Sequence, residues 1–144
     1  MKLPDVNIWV ALSLSDHTHH KASKLWLDEN NIENSIFFCR ATQQGLLRIL
    51  TNPSILKIYG LDALTNSQSW DKFETSMTDY RITFAEEPRG INEKWKSLAL
   101  RKTASPKLWM DAYLAAFAIN SGCQLVTSDK AFTQFKGLDF QLIE

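Results

Sequence analysis

A chain of 144 residues with 44% hydrophobic content is long enough for one domain with its own core, and too apolar for a disordered polypeptide. Its 16 basic residues match 16 acidic ones, which argues against a strongly cationic coat for nucleic acid while leaving room for a local basic rim or a phosphate-recruiting metal. No apolar run reaches bilayer-spanning length, and Lys2, Pro4 and Asp5 break the stretch a secretory signal would keep apolar, so the expected setting is cytoplasmic, without a membrane partner.

The pattern predicts a first strand over Lys2–Val10, where Leu3, Val6, Ile8 and Val10 surround one acid, Asp5. His20–Glu29 carries Ala22, Leu25 and Trp26 at helical spacing. A short strand at Ser35–Cys39 leads into an amphipathic helix over about Arg40–Leu50 with Leu46, Leu47, Ile49 and Leu50 on its apolar face. Thr51-Asn52-Pro53 stops that helix. Ile55–Tyr80 reads as one or two helices entered through Gly60-Leu61-Asp62, with Asp62 as a candidate N-cap. Arg81–Ala85 alternates like a strand, and Glu87-Pro88-Arg89-Gly90 turns the chain. Ile91–Leu100 is helical by the spacing of Ile91, Trp95 and Leu98, and Ser105-Pro106 marks a break.

Leu108–Ile119 forms the most apolar helix, stopped by Asn120-Ser121-Gly122. Gln124–Thr127 is a short buried strand, Phe132 and Phe135 sit on a small helix, and Phe140–Ile143 supplies the last strand. Alternating strands and helices predict an α/β layer architecture whose parallel strands gather their ligand loops at one edge. Cys39 and Cys123 lack Cys or His partners at zinc-site spacing. Both read as buried reduced thiols, with a disulfide as the alternative.

Three aspartates, Asp5, Asp111 and Asp129, fall where expected strands meet loops or helices. Carboxylates so near core segments call for a cation or a reaction, and oxygen-only sites suit Mg²⁺ or Mn²⁺. That combination points to metal-assisted phosphoryl chemistry. Each acid also has a plainer role: Asp5 as a strand-edge cap, Asp111 as a helix N-cap, Asp129 as the cap of the small helix. Asn7, two residues from Asp5 on the expected strand face, either orients Asp5 or makes a strand-end hydrogen bond. Thr127 and Ser128 either hold a metal water or phosphate, or make turn hydrogen bonds. Asp16-His17-Thr18-His19-His20 invites a zinc reading but fits better as a solvated loop and helix start. Arg40, Arg48, Lys102, Lys107 and Lys130 are either phosphate contacts or solvated charges. Core packing is the expectation for all five tryptophans, with base stacking as the minor alternative.

The fragments Leu-Pro-Asp-Val-Asn at 3–7, Cys-Arg-Ala-Thr-Gln at 39–43 and Leu-Leu-Arg-Ile-Leu-Thr-Asn-Pro at 46–53 resemble a PIN domain of the VapC type, the ribonuclease toxin of bacterial toxin–antitoxin pairs. Trp109, Asp-Ala-Tyr-Leu-Ala-Ala-Phe-Ala at 111–118 and Leu-Val-Thr-Ser-Asp-Lys-Ala-Phe at 125–132 complete the match almost end to end. The resemblance implies a single PIN-like three-layer α/β domain with a mainly parallel five-stranded sheet flanked by helices. It further implies Mg²⁺-dependent RNA cleavage, with Mn²⁺ as a substitute and tRNA or rRNA as the target. Asp5, Asp111 and Asp129 match the family's acids as catalytic and metal-binding residues. A homodimer and a cognate antitoxin that inserts a segment into the acidic groove are the implied partners.

One family acid is missing. A Glu early in the helix after strand two aligns near Gly45, with Gln43 or Gln44 as neutral neighbours. Gln43 or Thr42 is then expected to supply a neutral oxygen, leaving one well-bound metal and a second that is weak or arrives with RNA. The same gap supports an alternative, a PIN-like binding module with weak or lost catalysis. An aspartyl phosphatase would want a second Asp where Asn7 stands. A receiver domain would want adjacent early acids and a Lys on its last strand. Neither pattern is clear.

Overall fold

The computed structural model describes residues 1–144. Five short strands, β1 (Lys2–Pro4), β2 (Ile36–Phe38), β3 (Ile82–Phe84), β4 (Gln124–Thr127) and β5 (Phe140–Leu142), form one sheet. Their order is β3-β2-β1-β4-β5 and every neighbouring pair is parallel. Seven helices flank the sheet: α1 (Val6–Ser13), α2 (His20–Glu29), α3 (Arg40–Leu50), α4 (Pro53–Ile58), α5 (Asn66–Met77), α6 (Ile91–Ala99) and α7 (Leu108–Ser121). None is long and apolar enough to cross a membrane.

Alternation along the strands divides the core into two layers, because successive side chains leave a strand on opposite faces. Leu3 and Leu125, paired across β1 and β4, pack with Leu114, Ala115 and Phe117 of α7. Their neighbours Val126, Ile36 and Phe38 join the other layer with Trp9, Leu46 and Phe73 from α1, α3 and α5. Trp9 stacks on Phe38 with centroids 3.7 Å apart, and Phe73 meets Phe38 edge-on at 5.1 Å. Truncating Trp9 to Ala in such a setting costs about 3–5 kcal/mol.

The sequence pattern misjudged the first element. β1 ends at Pro4, and Asp5, with φ −73° and ψ 174°, caps a helix rather than continuing a strand. Ile8, Trp9, Val10 and Ala11 are all buried, so this helix is covered nearly all round and its apolar run carries no 3.6-residue signature. Asn7 therefore shares no strand face with Asp5; it is exposed in the first turn of α1. Between Ile55 and Tyr80 two helices form, and Thr65 rather than Asp62 caps the second. Thr65 Oγ1 accepts from Gln68 N–H at 3.1 Å, and Gln68 Oε1 accepts from Thr65 N–H at 2.9 Å, the reciprocal pattern of a capping box. The tryptophans also divide: Trp9 and Trp26 are buried, Trp95 is half-buried, and Trp70 and Trp109 are 45% and 53% exposed.

Sheet order locates the site. From β1 the chain moves to β2 and β3 on one side, and later to β4 and β5 on the other. The switch in direction lies between β1 and β4, where the connections leaving the strand ends diverge and open a crevice.

Candidate active site

Asp5 follows directly on β1 and Asp129 lies two residues beyond β4, so both stand at that crevice. Asp5 is 3% exposed. Its Oδ1 accepts the Ile8 N–H at 3.1 Å, and its Oδ2 accepts the Thr127 hydroxyl. Its own N–H extends the sheet by donating to Val126 O at 2.8 Å. The Thr127 oxygen in turn accepts the Asp129 N–H at 2.9 Å. One buried hydroxyl thus ties the first acid to the backbone of the last. Asp129 Oδ1 accepts the Ala131 N–H at 2.9 Å and caps the 3-10 turn Lys130–Gln134.

Asp111 is the fourth residue of α7, with Lys107 at the N-cap position, so it does not cap that helix. It lines an open cleft of about 580 Å³ together with Asp129, Arg101, Thr103, Ser105 and Lys107. Burial pushes its carboxyl up to about 6, and the nearby Asp129 charge adds to the shift. Asp5 is likewise pushed up to about 6, first by burial; hydrogen bonds from Thr127 and Ile8 oppose the rise, and Asp111 and Asp129 reinforce it. Three carboxylates therefore share one electrostatic neighbourhood without a cationic side chain neutralising Asp5 or Asp111.

This donor chemistry fits a hard divalent cation, for which oxygen ligands and uncompensated negative charge are the main requirement. No three His, Cys, Asp or Glu side chains close on one point. An open arrangement of that kind suits Mg²⁺, which keeps several waters and takes one or two carboxylates plus substrate phosphates.

The residues expected to replace the missing Glu are otherwise engaged. Thr42 Oγ1 donates to Cys39 O and accepts the Cys39 N–H, both at 3.0 Å. Gln43 Oε1 accepts from Arg40 Nη1 at 2.5 Å. Gly45 itself has a structural reason: a Cβ there would lie 2.5 Å from Val6 Cγ2. Helices α1 and α3 approach through this pair, and a glutamate at position 45 has no room unless Val6 gives way. Ser128 is half-buried beside Asp129.

His20 Nδ1 is bonded to Ala11 O at 2.7 Å, and His17 Nδ1 accepts the His19 N–H at 3.0 Å, which ties both imidazoles to local backbone. Arg101, Thr103 and Ser105 escaped the sequence reading. Their signal was the polar run Arg101-Lys102-Thr103 next to the Ser105-Pro106 break, just before the helix that carries Asp111. Cys39 and Cys123 are free and buried.

A parallel α/β sheet with acids beside its switch point is the architecture of a ligand crevice outside the carboxyl ends of the strands. The chain belongs to the PIN domain family, which it matches over residues 2–138. It is 51% identical to Ribonuclease VapC41 of Mycobacterium tuberculosis over 144 residues, covering 99% of each chain. The VapBC2 structure from Rickettsia felis, bound to a promoter DNA fragment, superposes with a TM-score of 0.66 at 15% identity, covering 99% of this chain and 98% of that one. VapBC-1 from nontypeable Haemophilus influenzae gives 0.66 at 17% identity, covering 98% and 96%. At those identities the two structures speak for the fold alone.

Proposed function

We propose that this protein is the ribonuclease toxin of a toxin–antitoxin pair, a cytoplasmic endoribonuclease that hydrolyses phosphodiester bonds in tRNA or rRNA. The observation that carries the reading is the trio Asp5, Asp111 and Asp129, held at one crevice with two of its carboxyls raised toward neutrality and unbalanced by any cation. Full-length identity of 51% to a VapC ribonuclease supports it. Asp5, Asp111 and Asp129 would hold Mg²⁺, with Mn²⁺ as a substitute. A bound divalent ion supplies phosphoryl polarisation and an acidified water at neutral pH.

The chain's own residues do the rest. Asp5 is fixed by Ile8 and Thr127, so its orientation is set before any ligand arrives. Thr127 aligns the Asp129 backbone with it. Asp111 faces the cleft where the scissile phosphate has access, and Arg101 and Lys107 line the same cleft without pairing to the acids, free to meet the phosphate. A homodimer and a cognate antitoxin are part of the proposal; the VapBC complexes among the fold's neighbours motivate the antitoxin, and the homodimer follows from the family resemblance.

One observation favours a second reading. Position 45 carries no carboxylate, and a Cβ there would collide with Val6, as expected of a PIN-like binding module with weak or lost catalysis. Cleavage of purified tRNA and rRNA with Mg²⁺ or Mn²⁺, comparing wild type with Asp111→Asn, decides between them. The toxin reading expects metal-dependent, site-specific fragments that the variant fails to produce. Identical blanks, with no metal binding by calorimetry, would leave the binding module.

A further inference from the structure

Beside the acidic cleft runs a second groove, about 470 Å³, lined by Arg40, Arg48, Trp95, Trp109, Met110 and Tyr113 among others. Pro106 lines both cavities, and Gly45 lines the groove while packing against Val6, the residue after Asp5. The two cavities therefore adjoin at Pro106, on the flank of the acidic cleft. We propose that this groove seats the RNA strand next to the scissile phosphate, with an unpaired base on the Trp109 indole and neighbouring phosphates on Arg40 and Arg48. The proposal rests on the ribonuclease reading and deepens it with a substrate subsite.

Three observations carry it. First, Trp109 is 53% exposed yet braced: Trp95 Nε1–H donates to its backbone carbonyl at 2.8 Å, and the Trp95 ring meets its indole edge-to-face at 6.1 Å. Trp95 is braced in turn by Tyr113 at 5.3 Å, whose hydroxyl donates to Glu87 at 2.7 Å. An exposed indole held in place is a stacking platform that loses little entropy on binding a base.

Second, the charge is complementary to a nucleic-acid strand. The molecule's ion pairs are Lys24–Asp28 and Arg81–Asp79, so neither Arg40 nor Arg48 has a carboxylate partner. Arg40 is held with its guanidinium carbon 4.7 Å from the Phe84 ring centroid while donating to Gln43. Third, a cluster of acids repels a phosphodiester, so binding requires cations on the flank. Two guanidiniums on α3 and the aromatic rings of α6 and α7 line one groove, whose acid, Glu87, is engaged by the Tyr113 hydroxyl; such a lining suits bases and phosphates better than the aliphatic groove a protein helix prefers.

The test compares wild type, Trp109→Ala, Trp109→Phe and Arg48→Gln on two substrates with Mn²⁺. One is purified tRNA and rRNA; the other is bis(p-nitrophenyl) phosphate, a small diester with no flanking nucleotides. Trp109→Ala is expected to lower the RNA-to-diester ratio of kcat/KM roughly tenfold, and Trp109→Phe to restore most of it. Arg48→Gln is expected to weaken RNA binding and reduce its salt slope by about one. Ratios cancel any shared loss from misfolding. If wild type cleaves RNA and the ratios do not move, the subsite is overturned and the ribonuclease reading stands. A wild type inert on both substrates overturns the ribonuclease reading, and the subsite with it. A ratio that falls together with the sedimenting mass of Trp109→Ala identifies a self-association face, which also overturns the proposal.

Discussion

Asp5 and Asp111 have similarly raised carboxyls, both at about 6, but reach that value in opposite surroundings. Asp5 is sealed, with one oxygen held by the start of α1 and the other by Thr127. Asp111 stands half-buried at an open cleft, and burial plus Asp129 accounts for its shift without any hydrogen bond. The contrast separates two jobs within one acid cluster. A sealed, oriented carboxylate fixes geometry, while an unsatisfied one at the mouth gains most from an arriving cation.

The largest expected effect breaks the open half of that pair. Asp111→Asn removes a charge without filling or emptying space, and RNA cleavage should fall by more than about a hundredfold. Stability of the metal-free protein should rise modestly at neutral pH, because a strained charge is removed. A variant that keeps cleaving would move the chemistry away from this cleft.

The sealed half is tested by pH. Between about pH 4 and pH 6 the folded protein holds on Asp5 a proton that the unfolded chain releases, because the folded value of about 6 exceeds the ordinary 3.8. Stability of the metal-free protein should therefore fall as pH rises through this window, by about 3 kcal/mol from Asp5. Asp111 adds in the same direction, and less, since it is half open to solvent. Thermal melts in chelator at pH 5 and pH 7.5 read this out. Asp5→Asn should melt higher than wild type at pH 7.5, with much of the slope gone, and should be inactive. Added Mn²⁺ should raise the wild-type melting temperature at pH 7.5 and do little at pH 5. A flat wild-type profile would contradict the burial argument.

Much of this arrangement is legible in the sequence. Arg40–Leu50 and Gln124–Thr127 appear with the expected boundaries, because a two-sided apolar pattern and a short buried run are local signals. Asp111 and Asp129 were singled out because acids beside apolar segments stand out in sequence. Asp5 was found for the right chemical type but in the wrong local structure. Helix α1 is buried all round, so its pattern cannot distinguish helix from strand, and the misassignment carried Asn7 with it. The bridge from Thr127 to both acids depends on β1 lying beside β4, a pairing no local pattern encodes. The same holds for Gly45. In sequence it reads as an absent glutamate, whereas the fold shows a contact between two helices.

That bridge is the next target. Thr127→Val keeps the shape but removes the hydroxyl, leaving the Asp129 N–H and one Asp5 oxygen without their partner. A loss of about 1–3 kcal/mol in stability is expected, with roughly a ten- to hundredfold fall in activity from the loosened acids. Thr127→Ser should recover most of both. If Val and Ser behave alike, the hydroxyl does not organise the site.

The smallest effect sharpens the comparison by asking whether the closed side can accept another charge. Gly45→Ala places a methyl 2.5 Å from Val6 Cγ2, and overpacking of this kind costs about 1–3 kcal/mol. Val6→Ala removes the offending methyl groups. The double variant should therefore be more stable than the two separate losses predict, a coupling measurable by a denaturant double-mutant cycle. Without coupling, α1 and α3 do not meet at this pair in solution. With coupling, Gly45→Glu on the Val6→Ala background becomes the informative step, because the added carboxylate can enter the space Val6 vacates. Tighter Mn²⁺ binding by calorimetry would mean that close packing of α1 on α3, rather than the remaining acids, limits how much cation this site can hold. Unchanged binding would mean that Asp5, Asp111 and Asp129 already define the metal's environment without help from α3.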